Sequence, residues 1–394
     1  MLPSTISFTY IPIETLVEEE TLPHYEFSHF YPVKIGDVYQ DRYKVIGKLG
    51  YGAYSTSCLC RDSQVDKYKV LKVSTPLPNH STARVGEVRV YEHLSKIESS
   101  HPGQGLLREL YDTFELAGPS GENQCLVLQP MHMILPEMMK LNPKPFDMPL
   151  LKMTVRRVLL ALDFLHSEAG VVHTDLKADN LMLSIEDPSM LTDFAIAELQ
   201  SPSPGKQVSR SHIIYSSRNF RKPICGKGYG LPILCDFGQA RIGRTHESGP
   251  FVQPDIYRAP EVMFEMPWGS PADIWNLAGL IWDLFEGEHL FGDIFNVRGH
   301  HDAFKHIALM VALIGAPPSE FVRRSETTEQ FFDSSGAWIA HGEEPIPNIS
   351  LEAREKRLTG EEKELFVASV RSMLKWMPEE RYTAKQLLEH PFLL

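Results

Sequence analysis

The hydrophobic pattern of this chain changes period once, near residue 130, and that change restricts the fold more than any other feature. From Tyr43 to Val73 apolar and polar residues alternate in short runs broken by Gly50, Gly52 and Asp62, the pattern of sequential antiparallel strands. Residues 82–97 then carry Val85, Val88, Val90, Tyr91 and Leu94 at close to helical spacing, and residues 125–128 read as another short strand. After Pro130 the period becomes helical. Residues 150–166 set Leu151, Val155, Val158, Leu159, Leu162 and Leu165 on one face of a long helix. Further helices are expected at 272–286, 304–313, 361–374 and 384–388, with Thr383 and Ser270-Pro271 supplying the starts. The expectation is an α+β chain: a small β-rich lobe with one main helix, joined near Gln129 to Met131 to a large, mainly α-helical lobe.

Charge and composition narrow the class. The 394 residues hold 39 Lys and Arg against 51 Asp and Glu, a net charge of −12, which argues against non-specific nucleic-acid binding and mildly favours a cationic partner. Five cysteines, at 58, 60, 125, 225 and 235, form no CxxC pair, and an odd number cannot all pair internally, so a reducing compartment is expected. Residues 1–33 contain five Glu and neither Lys nor Arg, unlike a secretory signal or a transit peptide. No apolar run approaches the ~18–20 residues that cross a bilayer. A soluble intracellular protein, cytoplasmic or nuclear, is expected.

Two segments interrupt the pattern. Residues 199–235 hold six basic residues (Lys206, Arg210, Arg218, Arg221, Lys222, Lys227) and no acid, opening with Ser201-Pro202-Ser203-Pro204-Gly205. This reads as a loop-rich insertion, either a strip lying against the chain's own acidic surface or a docking or modification site. Residues 318–350, rich in Pro, Gly, Ser and mixed charge, form a second loop-rich excursion.

Three constellations carry chemistry. Leu49-Gly50-Tyr51-Gly52-Ala53-Tyr54-Ser55 follows a strand start, where paired glycines let backbone amides approach phosphate oxygens; the same residues also fit a plain tight hairpin. Lys72 ends the apolar run Val70-Leu71-Lys72, and Glu87 sits on the following helix, poised to pair with it. His173-Thr174-Asp175-Leu176-Lys177-Ala178-Asp179-Asn180 follows the long helix and carries an Asp-x-x-x-x-Asn spacing. Downstream come Asp236-Phe237-Gly238, Ala259-Pro260-Glu261 and Asp273-Ile274-Trp275. Thr192-Asp193-Phe194-Ala195 lies nearer the loop than Asp236 but lacks the glycine, so Asp193 is read as an insertion residue.

These motifs, in this order, resemble the eukaryotic protein kinases over residues 40–394. Tyr257-Arg258-Ala259-Pro260-Glu261 is similar to the group that includes cyclin-dependent and mitogen-activated kinases. Gly50-Tyr51-Gly52-Ala53-Tyr54-Ser55-Thr56, the threonine in His173-Thr174-Asp175, and the 56 positions from Asn180 to Asp236 resemble the serine/arginine-rich-protein kinases. The resemblance implies a bilobal kinase fold: an N-terminal extension at 1–39, an N-lobe at 40–130 and a C-lobe at 131–394. The C-lobe would include a spacer-like insertion at about 184–232 and the group's insert at about 290–350.

The resemblance also implies an ATP-dependent serine/threonine kinase using Mg2+, with adenine against Gln129 and Met131 and phosphates under Leu49, Gly50, Tyr51, Gly52, Ala53 and Ser55. Lys72, held by Glu87, would contact the α- and β-phosphates. Asn180 and Asp236 would hold the metal, Asp175 would orient the acceptor hydroxyl, and Lys177 would neutralise the transferring phosphoryl group. Glu261 and Arg381 would form a structural ion pair. The implied partner is a protein substrate rich in arginine and serine, such as a splicing factor, with no direct nucleic acid or membrane contact and a monomer as the family default. A proline-directed kinase of the same group and a pseudokinase scaffold are the alternatives. The chain departs from the pattern at Ser57 and Val70, which stand at adenine-packing positions, and at Thr174, where regulated kinases place an arginine that receives a loop phosphate. The first two are worth about 1 kcal/mol in ATP affinity. The histidines of residues 300–306 are read as solvated or capping residues rather than metal ligands.

Overall fold

The structure, a computed structural model, describes residues 9–23, 25–76, 81–224, 228–249 and 251–394, with backbone alone for 81–85. Cys225, Lys227 and the side chain of Val85 lie outside the described residues. The chain divides into two compact units, one of Met1–Val88, Arg108–His132 and Leu183–Leu231, the other of Arg89–Leu107, Met133–Met182 and Pro232–Leu394. The insertion expected at about 184–232 is thus grouped with the sheet, not with the helices that flank it in sequence.

The first unit is built on a six-stranded antiparallel sheet in the order β1-β2-β3-β4-β6-β5. Its strands are β1 (Val38–Tyr39), β2 (Tyr43–Gly52), β3 (Ser55–Asp62), β4 (Lys67–Ser74), β5 (Leu110–Gly118) and β6 (Gly121–Leu128). Because successive side chains in a strand face opposite ways, Cys58 and Cys60 of β3 enter one core with Tyr43, Val45, Leu71, Val73, Cys125 and Val127, while Leu59 points to the other face. There the insertion covers it: Met190, Phe194 and Phe220 pack on Leu59, with Ile46, Leu49 and Tyr68 around them. Each fully buried apolar side chain of that cluster contributes about 1.5–3 kcal/mol, enough to hold the insertion on the sheet.

The insertion is more regular than its loop-like composition suggests. It contains a helix, Ser189–Gln200, whose buried Met190, Phe194 and Glu198 recur every four residues, and then a short hairpin pairing Gly205–Gln207 with Ile213–Tyr215. Three of its five described basic residues meet the chain's own acids, while Arg210 and Lys222 are exposed: Arg221 bonds Asp187 and Asp193, Arg218 bonds Glu198, and Lys206 bonds Glu20. The strip lies against acidic partners as one reading foresaw, but Lys206 is buried rather than solvated.

In the second unit, the predicted long helix is Met148–Asp163, and all six expected core residues are buried. Asp147 caps its start, accepting from the Leu150 amide at 3.0 Å. Its end widens into a π turn, Phe164–Ala169, closed by Gly170 in the left-handed region at φ 60°. The other expected helices appear as Pro271–Glu286, Ala303–Ile314, Gly360–Met373 and Ala384–Leu388, and Thr383 forms a capping box with Gln386. Residues 318–350 are mostly irregular yet well packed, with Phe321, Phe331, Phe332 and Trp338 buried.

The histidine cluster corrects its reading. His306 is fully buried, with its Nδ1 3.0 Å from His301 Nε2, and the cap of helix Ala303–Ile314 is Asp302. His306 is therefore core, because it sits on the buried face of helix Ala303–Ile314 with Ile307, Met310 and Leu313. No helix among the described residues is long and apolar enough to cross a membrane.

Candidate active site

In the first unit, β2 and β3 form the hairpin carrying Leu49, Gly50, Tyr51, Gly52, Ala53 and Ser55, with register shifts between Val45 and Gly47 and between Lys48 and Gly50. Neither glycine of the turn adopts a left-handed backbone, a Cβ on Gly50 would meet nothing within 4 Å, and one on Gly52 would make only an ordinary 3.6 Å contact with Ser55 Oγ. Leu49 packs inward, whereas Tyr51 and Ala53 are exposed. The protein's own packing therefore leaves the upper surface of this turn open.

Lys72 sits on β4 between Ser57 of β3 and Leu126 of β6. Its Nζ donates to both carboxylate oxygens of Glu87, 3.0 Å each, from helix α1 (Ser81–Leu94). The pair is mostly shielded from solvent, and such charge-assisted bonds fix the ammonium's position more tightly than an exposed pair would. Beyond the end of β6, the Gln129 amide donates to Glu109 O at 2.9 Å, Gln129 O accepts from Arg108 Nε at 3.0 Å, and Met131 is buried.

In the second unit, the short strand Val171–Val172 pairs with Arg241–Ile242 and delivers the chain into the 173–180 loop. The loop is organised from Asp273, at the start of helix Pro271–Glu286. Its fully buried carboxylate accepts from the amides of His173 and Thr174 and faces His166 Nε2, each at 2.8 Å. Burial alone would push the Asp273 carboxyl up; the hydrogen bonds from His166 and the His173 amide outweigh it and hold the group below the usual range. These bonds sustain Thr174 at φ 65°, a costly conformation for a β-branched residue.

Around that anchor, Asp175 accepts from Lys177 Nζ at 3.1 and 2.9 Å and from Asn180 Nδ2 at 2.9 Å, and Asn180 Nδ2 also reaches Asp175 O at 2.7 Å. The Asp175 amide donates to His173 Nδ1, which leaves Nε2 to carry the proton donated to Cys235 O at 3.1 Å. The Cys235 amide in turn donates to Asn180 O at 2.8 Å, so Asp236 follows directly beside the loop. Asp236 is exposed at φ 61°, while Phe237 is fully buried between the rings of Tyr91 and His173, at 5.2 and 5.4 Å. Asp193 lies within the insertion helix, bonded to Arg221.

Within the second unit, then, Asp175, Lys177, Asn180 and Asp236 are brought together, and within the first, Lys72 and Glu87. The donor set fits magnesium: Asp236 and Asn180 offer a carboxylate and an amide, hard oxygen ligands. Among the described residues no group of three or more His, Cys, Asp or Glu could hold a metal ion, so phosphate oxygens would complete such a site. The expected ion pair also forms: Arg381 bonds Glu261 through two hydrogen bonds of 2.7 and 2.6 Å, with both side chains buried. The sequence reading missed Asp273 as the organiser of the loop, and missed the Thr174 hydroxyl, which donates to Gln239 O at 2.7 Å.

The protein kinase domain family matches residues 43–223 and 227–393 of this chain. The sequence is 42% identical over 393 residues to a serine/threonine protein kinase of Aspergillus fumigatus, covering 100% of this chain and 94% of the other. It is 30% identical over 397 residues to the serine/threonine-protein kinase SRPK of Physarum polycephalum, covering 95% and 91%. Against SRSF protein kinase 3 of Mus musculus it is 24% identical over 519 residues, covering 95% and 90%. The chain belongs to the protein kinase family, with that family's α+β fold. Within it, this is a serine/threonine protein kinase of the serine/arginine-rich-protein-kinase type, using ATP to phosphorylate protein substrates.

Proposed function

We propose that this kinase transfers the γ-phosphoryl group of magnesium-bound ATP to serines in arginine/serine-rich proteins such as splicing factors, in the cytoplasm, the nucleus or both. The observation that carries the reading is the loop geometry: one carboxylate, Asp175, held by a lysine two residues on and an asparagine five residues on. Asp175 orients the acceptor hydroxyl, and Lys177, already on Asp175, neutralises charge on the transferring group. Lys72, fixed by Glu87, grips the α- and β-phosphates. Asn180 and Asp236 hold the magnesium, which when bound neutralises phosphate charge and orients the phosphates. The hairpin amides from Leu49 to Ser55 cradle the triphosphate, with adenine against Gln129 and Met131. The open space over Gly50 and Gly52 supports this placement, because glycines that the chain's own packing does not demand are suited to a ligand's close approach.

The acidic net charge suits a basic substrate. The test is transfer of labelled phosphate to an arginine–serine repeat peptide and to a serine–proline peptide, by the wild type and by Asp175→Ala. Incorporation into the first peptide alone, lowered at least about 1000-fold in the variant, is expected. Equal incorporation by both proteins, or preference for the second peptide, would defeat the reading.

A further inference from the structure

Lys48 lies in β2 just before the glycine turn, and the phosphate-binding scheme gives it no task. The two register shifts of the β2–β3 hairpin fall on either side of it. Bulged strands lose ladder bonds and bend, and β1 pairs with β2 only at Tyr43 and Lys44, so among the described residues the outer edge of β2 has no strand neighbour at Lys48.

Two other parts of the same unit take that place. The Arg218 amide of the insertion donates to Lys48 O at 2.9 Å. Lys48 Nζ, itself buried, donates to Tyr215 O at 2.9 Å and to Glu19 Oε2 at 2.5 Å. Glu19 is the middle of three consecutive glutamates in the N-terminal segment, and Glu18 also lies 3.9 Å from Lys48 Nζ while holding a point of its own. Glu18 accepts from the amide and hydroxyl of Ser217 at 3.1 and 2.7 Å, and Glu20 takes Lys206 Nζ at 2.8 and 2.9 Å. The segment is also tied by its backbone, since Ile11 N–H donates to Gly205 O and Gly205 N–H to Thr9 O, both at 2.9 Å. On the neighbouring residue, a Cβ at Gly47 would come within 2.9 Å of Glu198 Cγ, so only glycine lets the insertion helix lie this close. Burying two lysines against these glutamates carries a desolvation cost that only well-formed hydrogen bonds offset, which marks a fixed arrangement rather than a patch of solvated charge.

We propose that Lys48 is a positioning residue for phosphoryl transfer: the acidic N-terminal segment and the insertion hairpin converge on it and hold the base of the glycine-rich turn in its nucleotide-receiving shape. The proposal rests on the reading of that turn as the triphosphate cradle. Lys48 touches no reacting group and acts through the backbone of residues 49–55.

The test uses the full chain with Glu19→Gln, Glu19→Asp and Glu20→Gln, the last altering the clamp at Lys206 rather than at Lys48. Kinetic constants are measured alongside amide hydrogen exchange, with and without magnesium-ATP. The expected result for Glu19→Gln is an ATP KM raised about fivefold or more with kcat within about twofold, and faster exchange at 49–56 while helix Pro271–Glu286 exchanges as before. Glu19→Asp is expected to recover most of the KM, and Glu20→Gln to change it less than Glu19→Gln. Unchanged exchange and KM in Glu19→Gln, in a chain whose wild-type turn is protected by magnesium-ATP, would overturn the positioning role alone. Absence of that protection in the wild type would overturn the cradle reading and the positioning role with it.

Discussion

Thr174 shows how one side chain alters the control of a whole loop. Its hydroxyl donates to Gln239 O, three residues past Asp236, and its amide is held by Asp273. A neutral hydrogen bond therefore joins the 173–180 loop to the segment after Asp236-Phe237-Gly238, at a place where an arginine would instead wait for a phosphate. Ordering by phosphorylation needs such a charge-assisted receptor. Phosphatase treatment of the purified chain is accordingly expected to leave its kinase activity within about twofold of the untreated enzyme; a fall of tenfold or more would show that a loop phosphate is required after all. The threonine itself is plain in the sequence. Its positive φ and its bond to Gln239 are not, because both depend on a carboxylate 99 positions away.

At the scale of elements, the Glu261–Arg381 pair joins two short segments 120 positions apart. Arg381 is further tied to Pro271 O and Lys375 O and lies over the Trp275 ring, 5.0 Å from its centroid. Removing one partner leaves a buried charge without its counterpart, so Glu261→Gln is expected to cost about 3–5 kcal/mol in denaturant unfolding. A loss below about 1 kcal/mol would mean that water reaches the guanidinium. The motifs that carry this pair, the loop and the lysine–glutamate clamp were legible because each is a short run of unusual residues at a set spacing. The long helix was legible from Leu151, Val155, Val158, Leu159, Leu162 and Leu165. The insertion helix was not, although Met190, Phe194 and Glu198 follow helical spacing, because a glutamate at a core position breaks the apolar pattern and its partners Arg218 and Ser203 come later in the chain. His306 was misread for a related reason: a polar residue name says nothing of which face of a helix it occupies.

For the molecule as a whole, acid should be the weak side of its stability. Burial first, and then the neighbouring Lys48 charge, push His212 down to about 4, and burial also drives His306 well below its ordinary value. Both folded values lie below the unfolded one near 6.5, so the unfolded chain takes up protons first. Their contribution is intact above about pH 6.5 and is lost as pH falls toward the folded values, about 2 kcal/mol from His212 alone at pH 5. Asp273 and Asp62 add to the loss only below about pH 4, Asp62 being held down chiefly by Arg42. His289 acts in the opposite sense, raised by Asp283, but it stands half in solvent and its effect is small. Unfolding free energy is expected to be lower at pH 5 than at pH 7, with a shallower difference in His212→Gln; equal stability at both values would refute this.

The first unit draws on three separate stretches of chain, so its sheet and its insertion are close together only while the unit holds. It also encloses Cys58, Cys60 and Cys125, while the second unit encloses Cys235. Burial raises the Cys58 and Cys125 thiols to about 12, which keeps them protonated and poor nucleophiles. Nature has thereby left two sets of sulfur reporters inside the molecule. Their rates of alkylation by a small electrophile time the breathing of each half separately, without any dye or engineered label.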